Sequence, residues 1–184
     1  MKKATANLME DHEAIKAIMN ILEKIVHGLA NGKSINAEHV EEIIDFIKGF
    51  ADYNHHGKEE AMLFPALVEK GFQKESGPVG VMLHEHVAGR NYIAALDQSL
   101  AKCKNGDLSA SKDVVSNALE YIALLRNHID KENGILFTMA DNVLDDKEQN
   151  SLYDGFIKFE KEVVGVERHA KYYETLKKLK AIYN

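Results

Sequence analysis

The chain has 184 residues, with 23 Lys and Arg against 29 Asp and Glu, a formal charge of −6 and 45% hydrophobic residues. That is enough apolar material for a folded core and excludes wholesale disorder, and without a long basic stripe nucleic-acid binding is set aside. One cysteine, Cys103, excludes an intramolecular disulfide scaffold, a CxxC redox site and a thiolate zinc site.

Two prolines in the whole chain, with many Ala, Leu, Ile, Lys and Glu, point to helices. The longest apolar run, Ala61 to Val68, has eight residues and contains Pro65, too short for a membrane span. The start, MKKATANLMEDHEAI, has two lysines but no apolar stretch behind them, so the sequence reads as lacking a signal peptide and as cytoplasmic.

Apolar residues recur at helical spacing almost throughout. A first helix is predicted from about Ala4 to Leu29, with Leu8, Ile15, Met19, Leu22 and Val26 on one stripe, ended by Asn31-Gly32. Ser34 or Asn36 can cap a second helix that carries Val40, Ile43, Ile44, Ile47 and Ala51 towards Lys70, with Pro65 kinking or interrupting it. A third is predicted over roughly Val79 to Lys104. A fourth opens at Ser109 or Ser111 and runs to about Asp141. Asp145 to Tyr183 reads as one long helix, or two that meet near Gly165. The predicted fold is all-α: an up-down-up-down four-helix bundle over residues 1–143, with residues 144–184 as a C-terminal helical extension packed on the same domain.

The segment His55-His56-Gly57-Lys58-Glu59-Glu60-Ala61-Met62-Leu63-Phe64 aligns without gaps on His128-Ile129-Asp130-Lys131-Glu132-Asn133-Gly134-Ile135-Leu136-Phe137. The shared pattern, H-x-x-K-E-x-x-x-L-F, lies on the second and fourth helices. It implies approximate two-fold symmetry, with His55 opposite His128 and Glu59 opposite Glu132.

At 100° per residue each histidine can be placed against its apolar stripe. His12 falls with Leu8, Ile15 and Met19. His55 falls with Ile44, Ala51 and Met62, His86 with Val79, Met82, Ile93 and Leu100, and His128 with Tyr121, Leu124, Ile135 and Met139. His84 points the opposite way from His86. His56 is displaced towards Asp45, Gly49 and Asp52 and reads as a solvent-side or outer pair with Glu60, or as a replacement for His55 with Glu60 replacing Glu59. Each helix thus aims one histidine inward, and Glu59 and Glu132 follow theirs by four residues. Carboxylates buried among imidazoles call for a multivalent cation. Six such ligands exceed one tetrahedral zinc and suit two metals bridged by carboxylates. Imidazole and carboxylate without thiolate favour iron or manganese, with zinc as an alternative.

These motifs resemble the hemerythrin-like, HHE cation-binding family. The resemblance spans about Leu8 to Asp141 and rests on four segments. They are Asp11-His12-Glu13; His55 to Glu60 followed by Leu63-Phe64-Pro65; Met82-Leu83-His84-Glu85-His86 with Gly89-Arg90; and His128 to Glu132 followed by Leu136-Phe137. It implies a non-haem di-iron centre, carboxylate- and oxo- or hydroxo-bridged. The implied ligands are His12, His55, His86 and His128, with Glu59 and Glu132 bridging. Oxygen-carrying members have a further histidine where this chain has Arg90, and an aspartate where it has Asn133. The pattern is similar instead to the four-histidine, two-glutamate branch of iron sensors and iron-centre repair proteins.

The implied function is a di-iron protein that senses or handles oxygen, peroxide or nitric oxide, its partner a small diatomic or peroxide ligand. A di-iron enzyme, for peroxide breakdown or oxidation, and a metal-responsive interaction module are the alternatives. Neither nucleic acid nor membrane is expected as a partner. Tyr121 reads as a core tyrosine, with a redox or hydrogen-bonding role as the alternative, and Arg90 either binds an anion or pairs with a ligand glutamate, or forms a surface salt bridge. His169 reads as a surface or packing residue, with folding over one end of the bundle as the alternative, and His27 and His39 are expected to be exposed.

Overall fold

A computed structural model describes residues 3–183, and among these it is all-helical. Helix α1 is Ala4–Ala30. Helix α2 spans residues 37–69 and opens as Ala37–Phe46. Helix α3 is Gly77–Lys104. Helix α4 spans residues 111–143 and opens as Ser111–Lys131. Helix α5 spans residues 146–183, with arms Asp146–Phe159 and Val166–Tyr183 that meet where Gly165 takes φ 90°. Among the described residues no helix is long and apolar enough to cross a membrane.

Helix starts follow local chemistry. The Asn36 side chain accepts hydrogen bonds from the Glu38 and His39 amides. Asp145 and Glu148 form a reciprocal cap at the start of α5. Ahead of α4 the capping group is Asp107, not a serine. Its carboxylate accepts from the Ser109 amide and opens a short 3₁₀ turn, Leu108–Ala110, that leads into the helix.

The helices depart from regular α geometry at particular places. In α2 the turns over Ile47–His56 and Glu59–Leu63 are π-helical, and in α4 so is Glu132–Leu136. The two short π turns occupy the same positions of the sequence repeat. Pro65 stands just after the first of them, at the second residue of Phe64–Glu69, so the interruption comes before the proline. A π turn takes up one residue more per turn than an α turn, so the inward stripe beyond it shifts. Met62, Ile135 and Met139 were expected inside. Met62 is half-buried, and Ile135 and Met139 are exposed; Leu63, Phe64, Leu136 and Phe137 are buried in their place.

Helix α1 packs on α2 and α4, and α3 packs on the same two. Both arms of α5 lie against α1. Two apolar clusters result. One gathers Ile15, Met19, Leu22, Phe50, Ile93 and Leu125 with Tyr172 and Leu176 of α5. The other gathers Leu8, Leu63, Phe64, Leu136 and Phe137 with Phe156 of α5. His12 lies between Leu8 of one and Ile15 of the other on α1, so a buried polar layer separates the two clusters.

The second arm of α5 seats on α2 because Gly49 has no side chain. A Cβ there would fall 1.6 Å from the Tyr172 hydroxyl oxygen. Gly49→Ala is expected to lower stability by about 1–3 kcal/mol through overpacking, and by much less in a Tyr172→Leu background. Denaturant unfolding of the four proteins checks this; equal losses in both backgrounds would contradict it.

Candidate metal centre

The polar layer holds five buried histidines: His12, His55, His56, His86 and His128. Glu59 and Glu132 are each 0% exposed beside them. The inward-facing nitrogens are close. His12 Nε2 lies 3.0 Å from His55 Nε2, and His86 Nε2 lies 3.2 Å from His128 Nε2.

The opposite nitrogens face outward to acceptors, in a two-fold pattern. His55 Nδ1–H donates to Asp11, the residue before His12, at 3.3 Å. His128 Nδ1–H donates to Glu85, the residue before His86, at 3.1 Å. His12 Nδ1–H donates to Asn133 Oδ1 at 2.8 Å and His86 Nδ1–H to Glu60 Oε1 at 2.7 Å; Glu60 and Asn133 occupy the same position of the repeat. Lys58 pairs with Asp11 and Lys131 with Glu85. Phe137 stacks on His12 and Phe64 on His86, at 5.6 and 5.8 Å between centroids. The repeat therefore encodes the surroundings of the histidines as well as the histidines themselves.

With Nδ1–H committed outward, the hydrogen-bond network assigns each neutral ring an Nε2 lone pair that points inward. Lone pairs 3.0 Å apart repel unless a proton or a cation lies between them. The carboxylates make the same demand. Glu132 Oε2 is 3.1 Å from His12 Nε2 and Oε1 is 3.1 Å from His128 Nε2. Glu59 Oε2 is 3.4 Å from His86 Nε2 and 3.8 Å from His55 Nε2. Each carboxylate thus reaches from one histidine pair to the other. Yet all four carboxylate oxygens of Glu59 and Glu132 are buried without a hydrogen bond, which is costly for a carboxylate that has no positive partner.

Charge on the individual groups follows. Burial works against the Glu132 anion, but His128 and His12 outweigh it and hold the carboxyl well below the usual range. Burial likewise opposes the His128 imidazolium, and the Glu132 carboxylate overrides it and pushes the group up to about 10. The interior thus favours positive charge beside Glu132. Burial and the neighbouring His86 drive His56 the other way, well below the ordinary histidine value, so it is a neutral ring.

His56 corrects the sequence expectation. It is only 6% exposed, stacks on His86 at 3.7 Å, and donates Nδ1–H to Asp52 rather than meeting Glu60. The π geometry of Ile47–His56 rotates the chain less per residue than the 100° assumed, so His55 and His56 both face inward. Its counterpart in the repeat is Ile129, so the fifth imidazole breaks the two-fold pattern. Arg90 pairs with Asp52 and Glu60, and neither is a ligand glutamate of the expected set. Tyr121 is buried. His84 and His27 are exposed, His39 is half-buried against Tyr183, and His169 packs on Phe50 and Tyr173.

Among the described residues, two groups of side chains could each hold a cation: His56, Glu59, His86 and His128, and His12, His55 and Glu132, with ligand atoms within 4.8 Å of one another in each group. Buried imidazole nitrogens and uncommitted carboxylate oxygens, with no thiolate, fit a divalent or trivalent metal. The model of the hemerythrin HHE cation-binding domain matches residues 3–140. The chain belongs to the hemerythrin HHE cation-binding family. Hemerythrin-like domains bind metal cations, and the buried His and Glu groups of this one meet that requirement. Comparison with curated proteins and with solved structures returned no significant match.

Sequence reasoning did not find the outer partners of this hemerythrin-like centre. Lys58 is fully buried and donates to Asn7, Asp11 and Glu160, at 2.9, 2.6 and 2.8 Å. Glu160 lies in the bend of α5, so the C-terminal helix reaches the groups around the histidines. The shared Lys-Glu of the repeat, and the acid preceding His12 and His86, were the available signals. Lys58→Ala strands the buried Asp11 carboxylate and is expected to cost about 3–5 kcal/mol. Lys131→Ala, with its side chain 36% exposed, is expected to cost no more than about 1 kcal/mol. Equal losses on denaturant unfolding would contradict the assignment.

Proposed function

We propose that this protein binds a pair of iron ions in the polar layer and uses them to sense or handle oxygen, peroxide or nitric oxide. The ligands in this reading are His12, His55, Glu59, His86, His128 and Glu132, with both glutamates spanning the two positions. The observation that carries it is the four carboxylate oxygens buried without hydrogen bonds between inward-facing imidazoles. The same reading takes α1 to α4, within residues 1–143, as an up-down-up-down bundle. Residues 144–184 then complete the same domain, supported by Phe156 and Tyr172 sitting in its two apolar clusters. A cytoplasmic setting suits a chain with one cysteine.

Bound iron would supply Lewis acidity and exchangeable electrons. The chain's own contribution is positional. Asp11, Glu85, Glu60 and Asn133 fix the ring orientations and keep the protons on Nδ1. Phe64 and Phe137 wall the layer on its apolar side. Lys58 and Lys131 offset the charge of the outer carboxylates.

Anaerobic reconstitution with ferrous iron is expected to load two irons per chain, to raise the thermal unfolding midpoint, and to give the near-ultraviolet charge-transfer absorption of a ferric pair on exposure to air. Glu59→Ala and Glu132→Ala are each expected to lower the stoichiometry. Iron content no higher in the parent protein than in the Glu59→Ala, Glu132→Ala double variant, with no such absorption, would refute the proposal.

A further inference from the structure

A cavity of about 180 Å³ opens against one side of the polar layer. Its walls are Ile47, Ile93, Tyr121, Leu124 and Leu125, and its inner end is His56, His86 and His128. Neither His12 nor His55 lines it.

The two-fold pattern explains why the cavity is one-sided. Three residues after His86 stands Gly89, which lines the cavity. Three residues after His12, the equivalent position, stands Ile15, which is 1% exposed. An isoleucine fills in one half what a glycine leaves open in the other. A Cβ on Gly89 would meet Tyr121 and Leu124 at ordinary contact distances, 3.6 and 3.9 Å, so packing does not demand glycine there. The space is larger than a diatomic molecule needs and resembles in size an engineered apolar cavity of about 150 Å³ that takes up benzene.

The charges at its rim are already satisfied within the protein. Lys48 pairs with Asp97, Arg90 with Asp52 and Glu60, and Glu85 with Lys131. None is left to recruit a charged ligand, and the walls between are apolar.

We propose that this cavity is a binding site for a small, neutral, mainly apolar organic molecule of about the size of benzene, seated beside the His56, His86 and His128 half of the centre and closed off from the His12 and His55 half. That it lies next to a metal rests on the two-cation reading above; the cavity itself does not. Such a ligand meets mainly apolar side chains on its sides and the imidazoles of His56, His86 and His128 at one end, so it is held by burial of its apolar surface and oriented by that end.

Phenol is a suitable probe, titrated into metal-free and cobalt-loaded protein. Methyl NMR signals of Ile93, Leu124 and Leu125 should shift saturably in the metal-free protein, and in the cobalt-loaded protein phenol should also alter the visible d–d absorption. Gly89→Ile, which copies the other half, should weaken phenol binding by about tenfold or more, equivalent to about 1.4 kcal/mol. Leu124→Phe fills the same space from α4 and serves if Gly89→Ile fails to fold. No saturable shift, or unchanged affinity in the filled variants, would overturn the proposal. Phenol binding by protein that takes up no cobalt would uphold the cavity and remove the metal reading; cobalt uptake without phenol binding would do the reverse.

Discussion

The structure depends on one electrostatic demand, set up where two carboxylates and five imidazoles meet in a buried layer. Each ring spends its outer nitrogen on a hydrogen bond and turns the other inward. Glu59 and Glu132 then lie among these inward nitrogens with no hydrogen bond to their oxygens. A pair of carboxylates in that position is tolerable only beside positive charge, supplied by protons on the rings or by metal cations. The flanking apolar clusters make the demand sharper, because they keep out the water that would otherwise screen it.

The two-fold repeat meets this demand economically. One ten-residue motif on α2 and α4 supplies a histidine, a glutamate, a lysine for the outer carboxylate, an outer acceptor and a phenylalanine to face the opposite histidine. Helices α1 and α3 then need only a histidine preceded by an acid. Departures from that symmetry carry information about use. His56 in place of Ile129 adds an imidazole to one half, and Gly89 in place of Ile15 opens space beside the same half. Both departures fall on the side where Arg90 and Asp52 form the rim, so the two groups of buried His and Glu side chains have different surroundings.

Much of this was legible in the sequence, for physical reasons that also set its limits. The gapless repeat and the apolar stripes bring His12, His55, His86, His128, Glu59 and Glu132 to one level, and the structure gathers those six in one buried layer. The stripes failed where the helix was not an α-helix. Uniform rotation of 100° per residue put Met62, Ile135 and Met139 inside and His56 outside; the π turns bring His56 in, expose Ile135 and Met139, and leave Met62 half-buried. The outer partners were missed for a different reason. Asp11 and Glu85 are recognisable only once it is known which helix lies beside which, since the histidines they accept from, His55 and His128, are on another helix; Asp52, one turn before His56 on the same helix, did fall on the side the helical spacing gave. Glu160 was further out of reach, because its role depends on how α5 bends at Gly165.

In the proposed centre, cations rather than protons hold the buried glutamates in place. Crystals of iron-loaded protein measured on both sides of the iron absorption edge distinguish the two. Two anomalous peaks are expected inside the layer, each within bonding distance of histidine Nε2 atoms and of the Glu59 and Glu132 carboxylates. A fully ordered layer with no anomalous peak, in which those carboxylates are hydrogen-bonded to protonated imidazoles, would contradict it.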